Sequence, residues 1–113
     1  MNKYTELSDF EINKKVASHY LPCDYNLNEH TKTVELIGFL GDTDEYNVYG
    51  IFDPCNNPAD AMPIIIENKI AMNHPYDIWQ CGSGWNVAEN KNPLRACMES
   101  YLLMKDAENN NGN

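Results

Sequence analysis

Residues 52–70, "FDPCNNPADAMPIIIENKI", and the shorter "NPLRACM" at 92–98 divide this chain into its parts. Both contain Asn-Pro-x-x-Ala, and each reads as the start of a helix. Asn57 and Asn92 take the N-cap position, where a short polar side chain accepts from an unpaired backbone N–H. Pro58 and Pro93 follow at the first helical position, where a missing N–H costs nothing. Asp60 falls in the first turn, where the helix dipole favours an anion. Ala59, Met62 and Ile66 share one helical face, while Leu94, Cys97, Met98, Tyr101 and Leu102 make an apolar stripe on the second helix. Pro63 predicts a kink or a shortened first turn, because inside a helix it removes a hydrogen bond. The flanking residues of the two words differ, so they share the physics of a helix start rather than an internal duplication.

Upstream, Ser8-Asp9-Phe10-Glu11 fits a capping box, with Leu7 and Ile12 as its hydrophobic staple. Phe10, Val16, Ala17 and Tyr20 continue the helix until Pro22 stops it. "TVELIGFL" (33–40) and "YNVYGIFD" (46–53) are rich in β-branched and aromatic residues and flank the turn-like "GDTDE". Alternation places Val48 and Phe52 on one face and Tyr49 and Ile51 on the other. That predicts a sheet covered by helices on one side and partly on the other. "KIAMN" (69–73) and "YDIWQCG" (76–82) are two further short strands, followed by the turn Gly82-Ser83-Gly84. Residues 23–32 are a candidate for an added strand, with a pattern too weak to assign. The order α-β-β-α-β-β-α describes an α+β fold with a small, mainly antiparallel sheet. One domain over residues 1–105 is expected, with "DAENNNGN" (106–113) as a polar, unfolded tail.

The formal net charge of −9, with Arg95 as the only arginine, argues against direct contact with nucleic acid, which needs cations on phosphates. No apolar run approaches the roughly 20 residues of a membrane span, and the N-terminal residues lack a signal-peptide pattern. The four cysteines, Cys23, Cys55, Cys81 and Cys97, are far apart and read as reduced core thiols of a cytoplasmic protein.

No catalytic or metal motif emerges. His19, His30 and His74 are isolated, so no zinc spacing exists. Asp42-Thr43-Asp44 lacks the glycine of a calcium loop, and Gly82-Ser83-Gly84 lacks the lysine of a phosphate loop. One constellation bears on ligand binding. If the helix starts at Asn57 and Asn92 face each other, Asn56, Asn57, Asp60, Asn92 and Arg95 form a small site for an anion or polar ligand. Tyr49, Trp79 or Trp85 would wall it by stacking. The plainer account is that the asparagines cap, the tryptophans fill the core, and Arg95 pairs with Glu99 one turn on.

The words "NNPADAMPIIIENKI" (56–70) and "NPLRACMESYLLM" (92–104), with the capped opening "LSDFEINKKVA" (7–17), resemble the NinX-like family of phage proteins. Residues 18–45 carry little of the likeness. The chain departs from the family pattern at Met62, where an aromatic is usual, and at Cys97, where alanine is usual. The first departure weakens any stacking role at position 62. The resemblance implies an accessory protein of lambda-like temperate phages, and it brings no activity and no catalytic residue.

The expected function is therefore a non-catalytic binding protein that counters a host defence factor in the host bacterial cytoplasm, without cofactor or metal. It would bind a host protein through an acidic or aromatic surface, or sequester a small polar ligand such as a signalling nucleotide. Replacing Arg95 would separate those two modes. The alternatives are a small hydrolase using Asp53, Asp60 or Cys55, and an acidic DNA mimic. A homo-oligomer through the tyrosines and methionines of the last helix stays open.

Overall fold

The computed structural model describes residues 2–111 and gives the order α-β-β-β-α-β-β-β-α, an α+β fold. Helix α1 spans Asp9–Tyr20, strands β1 to β3 span Tyr25–Asn28, Thr33–Phe39 and Tyr46–Phe52, and α2 spans Pro58–Glu67. Strands β4 to β6 cover Met72–Asn73, Trp79–Cys81 and Ala88–Asn90, and α3 runs Pro93–Asn111. Two antiparallel three-stranded sheets replace the single expected one, ordered β1-β2-β3 and β4-β5-β6. β6 escaped the sequence pattern because its three residues carry no apolar alternation, and β1 stayed unassigned because Tyr25 and Leu27 alternate with asparagines over only four residues. β1 is held also by Asn26 and Asn28, which donate to the Glu35 carboxylate at 2.9 and 3.1 Å. Those two bonds hold the Glu35 carboxyl below its usual range.

The capping box at Ser8 and Glu11 forms as expected, and Asn57 accepts from the Ala59 N–H at 3.0 Å. Helix α2 continues through Pro63. Proline removes the bond to the Ala59 carbonyl, but both residues are exposed, so water can satisfy that oxygen. The buried face of α2 is Ala61, Ile64 and Ile65, not the expected Ala59, Met62 and Ile66; Ile66 points largely to solvent. The helix is set down on α3 one residue away from the predicted stripe. Helix α3 is the organising element, touching α1, α2, β5 and β6. Ala96, Cys97, Met98, Tyr101 and Leu102 bury against Ile12, Val16, Val34, Phe52 and Ile64 in one core cluster. The stripe of α3 is thus occupied by this core.

In β3 the expected alternation fails. Leu36 opposes Gly50 but Ile37 opposes Val48, so Tyr49 is an extra, bulged residue. Val34 and Phe52 face the core, whereas Val48 follows Ile37 onto the opposite face. All four cysteines are free; Cys55, Cys81 and Cys97 are buried, but Cys23 is exposed and is not the core thiol expected.

The predicted tail is helical as far as Asn111, and residues 112 and 113 lie outside the described residues. The N-terminal segment explains this extension. Asp106 accepts a short hydrogen bond from the buried Tyr4 hydroxyl and pairs with Lys3 at 3.1 Å. Burial, then the Asp106 bond, raises the Tyr4 phenol well above its usual range. The folded chain holds that proton more tightly than the unfolded chain does. Its contribution is therefore whole below about pH 10 and is lost as pH rises from there toward the folded value. Buried Tyr101 and half-buried Tyr20 shift the same way and share the effect. Tyr4→Phe is expected to cost about 1–2 kcal/mol at neutral pH and to flatten the alkaline fall in melting temperature. Melting curves from pH 7 to 11 check this; an unchanged alkaline slope would count against the strap.

Candidate functional site

Three helix N-termini meet on one side of α3. The start of α1 carries Asp9, the loop 53–57 leads into α2, and Asn92 opens α3. The two Asn-Pro starts do face each other: Asn92 Nδ2 donates to the Cys55 carbonyl at 2.6 Å and to Asn56 Oδ1 at 3.3 Å. Asn92 Oδ1 meanwhile accepts from the Leu94 and Arg95 N–H groups, so it also caps its helix. Converging dipole ends of like sign are unfavourable unless anions sit among them. The chain places Asp9 and Asp53 there. Asn56 donates to both carboxylates, Asn13 donates to Asp53 at 2.8 Å, and Asp60 Oδ2 accepts from the Asp53 N–H at 2.8 Å.

Arg95 completes this node from within rather than receiving a ligand. Its side chain is only 7% exposed. Nε donates to Glu99 and Nη1 to Asp9, both at 2.7 Å, while Nη2 donates to the Tyr4 and Leu7 carbonyls at 3.0 and 2.8 Å. Burial pulls the guanidinium down, but Asp9 and Glu99 outweigh it and hold Arg95 charged above its usual range. Glu99, equally enclosed, accepts at its other oxygen from Asn2. Among the described residues no buried side-chain nitrogen or oxygen lacks a partner. The anion site expected from Asn56, Asn57, Asp60, Asn92 and Arg95 is corrected accordingly: the residues of the helix starts gather, but the cation is consumed internally. A hollow of about 120 Å³ beside the node sets Asp9 and Asp53 against one cation, Lys32, a balance that disfavours an anion.

The expected tryptophan wall is also elsewhere. Trp79 lies half-buried on β5 with its ring 5.0 Å from His74, and neither tryptophan borders that hollow. Tyr49 is the bulged residue of β3, and it does not border that hollow either. Cys55 is buried, and desolvation first, with Asp9 next, pushes its thiol far above its usual range, which suits a packed thiol and not a nucleophile. Among the described residues no group of three His, Cys, Asp or Glu side chains is placed to hold a metal ion.

Trp85 is the residue the structure singles out. It is 99% exposed on the turn between β5 and β6. The turn itself is rigid: Gly82 N donates to the Ala71 carbonyl at 2.8 Å, Asn86 N to the Ser83 carbonyl at 3.0 Å, and Ser100 Oγ on α3 to the Asn86 carbonyl at 2.6 Å. Below Trp85 opens a hollow of about 450 Å³, with Ile78, Val87 and Leu103 among its apolar lining and Asn2, Gln80 and Glu89 among its polar lining. Its rim combines residues 2 to 103, so spacing along the sequence gave no signal for it. A tryptophan with no neighbours in a short turn was the only hint.

A family model described as Bacteriophage P22, NinX matches residues 3–105 of the 113-residue chain. No curated protein and no solved structure matches.

Proposed function

The chain belongs to the bacteriophage P22 NinX family, and from that premise we propose that it is a non-catalytic phage accessory protein that binds a host protein in the host cytoplasm. The observation that carries this reading is Trp85, held wholly in solvent above an open, partly apolar hollow on a turn anchored to α3. Exposing an indole is costly, and tryptophan is among the side chains most often found at the energetic centre of protein interfaces. Glu89 beside the hollow and the net charge of −9 favour a partner that presents an apolar side chain within a basic surface. Among the described residues no helix is long and apolar enough to cross a membrane.

The other readings find less support. A sequestered signalling nucleotide needs cations, and Arg95 is enclosed by Asp9 and Glu99. A hydrolase through Cys55 needs an accessible thiol, and Asp60 already accepts from the Asp53 backbone. A DNA mimic needs carboxylates aligned along one face, whereas the exposed ones, such as Glu6, Glu29, Asp44, Glu67, Asp77 and Glu89, sit on separate loops and elements.

Trp85→Ala tests the proposal. The indole makes no packing contribution, so its removal is expected to leave the melting temperature within about 2 °C. Native mass spectra of tagged protein from infected cells are expected to show a host protein with the wild type and its loss with Trp85→Ala. A small bound ligand indifferent to Trp85, or a host protein retained by the variant, would sink the reading.

A further inference from the structure

We infer that Cys81 and Cys97 form a site of oxidative modification, a thiol pair that a peroxide converts to a disulfide tying β5 to α3 beneath the Trp85 turn. Cys81 ends β5, Cys97 stands in the second turn of α3, and both are wholly buried in the core cluster. Two features bring their sulfurs to one place. Side chains on a helix lean toward its N-terminus, so Cys97 covers the turn that begins at Pro93. Cys81 Sγ reaches that same turn from the sheet, donating to the Pro93 carbonyl at 3.8 Å. There the two thiols are hydrogen-bonded to each other. The other two cysteines lie elsewhere: Cys55 against the Asp9 carbonyl at 3.9 Å, and exposed Cys23 beside Tyr49.

That contact also assigns the roles. The bond from Cys97, opposed by burial and aided by the Asn73 backbone, lowers the Cys81 thiol below its usual range. The same bond, with burial, raises the Cys97 thiol. Cys81 is therefore the attacking sulfur and Cys97 the resolving one. The Cys81 thiolate attacks one oxygen of hydrogen peroxide and the O–O bond breaks. The departing hydroxide takes up the proton that Cys81 released, and the sulfur is left as a sulfenic acid. Cys97 then attacks that sulfur; its own proton passes to the departing hydroxyl, an S–S bond forms and a second water leaves. Two thiols and one peroxide thus give one disulfide and two waters. Burial selects this oxidant, since a bulky disulfide cannot reach a sulfur without exposed surface, whereas hydrogen peroxide is small and uncharged. The hollow beneath Trp85 extends to Ala88, the cross-strand partner of Cys81, so a small solute approaches the pair from that side. The new bond encloses residues 82–96, the Trp85 turn and β6 included, and reinforces the Ser100–Asn86 tie to α3. In a reducing compartment such a bond is transient, as redox-sensing disulfides are.

Hydrogen peroxide added to the reduced full chain tests this, read by intact mass and by maleimide counting of thiols after denaturation. The wild type is expected to become lighter by two hydrogens and to keep two of its four thiols, reversibly with dithiothreitol and with an unchanged far-ultraviolet spectrum. Digestion without reductant should recover the Cys81 and Cys97 peptides joined. Closing the loop should raise the melting temperature by at least about 5 °C. Cys23→Ser is expected to leave all of this unchanged, because Cys23 lies outside the pair. Cys97→Ala should stop at a Cys81 sulfenic acid that dimedone traps; Cys97→Ser serves if the alanine variant misfolds. Four thiols retained after peroxide, a disulfide through Cys23 or Cys55 instead, or a bond that forms only as the far-ultraviolet spectrum is lost overturns the proposal.

Discussion

Arg95→Ala is expected to lower the free energy of unfolding by about 3–5 kcal/mol, because it leaves the buried Glu99 carboxylate without its cation. The loss is larger than for a surface ion pair for two reasons. Both side chains are almost wholly enclosed, and the same guanidinium ties the Tyr4 and Leu7 carbonyls to α3. Against a typical total of about 5–15 kcal/mol, such a loss brings the chain close to unfolding at 37 °C. A thermal melt followed by circular dichroism should show a drop of more than about 10 °C. Arg95→Met with Glu99→Leu should recover much of it, since a buried pair replaced by apolar groups leaves no stranded charge. A single Arg95→Ala variant within about 1 kcal/mol of the wild type would refute the account of the node. The same variant cannot separate ligand binding from surface binding, because it removes a structural arginine.

Gly82→Ala should have an effect of similar size for a different reason. Its φ of +99° is a conformation that side chains rarely adopt, and a Cβ there would lie 2.2 Å from Ser100 Oγ and 2.3 Å from the Asn86 carbonyl oxygen. Backbone strain of about 1–3 kcal/mol and overpacking of about 1–3 kcal/mol combine, and the Ser100–Asn86 hydrogen bond must break. Since that bond holds the turn under Trp85, partner binding should fall together with stability. Gly84 provides the contrast: at φ +60° a Cβ meets nothing within 4 Å, so Gly84→Ala should cost only about 1–2 kcal/mol. Urea unfolding of the two variants compares them directly, and equal losses would show that the Ser100 contact carries no weight.

The helix starts were legible because capping is local: Asn57 and Asn92 accept from N–H groups two or three residues away, and Ser8 and Glu11 exchange bonds within one turn. The central helix stripe on α3 was legible for the same reason. β1 was not, since its alternation of Tyr25 and Leu27 spans only four residues and its asparagines are matched to Glu35 on another strand. The face of α2 was misplaced because Ala59, Met62 and Ile66 fit a helical repeat as well as Ala61, Ile64 and Ile65 do, and only docking on α3 distinguishes them.

By itself the sequence determined the α+β class, the capped helix starts, the turns and the acidic surface, all of which depend on residues within a few positions or on composition. Tertiary structure alone decided what those parts are for. Arg95 meets Asp9 and Tyr4 across 86 and 91 residues of chain and so became a core strut rather than an anion receptor. Trp85 came to overhang a hollow built from both ends of the chain, and one bulged residue turned Val48 from the core to the outer face. Contacts at such separations are fixed by where whole elements pack, which no local pattern of residues encodes.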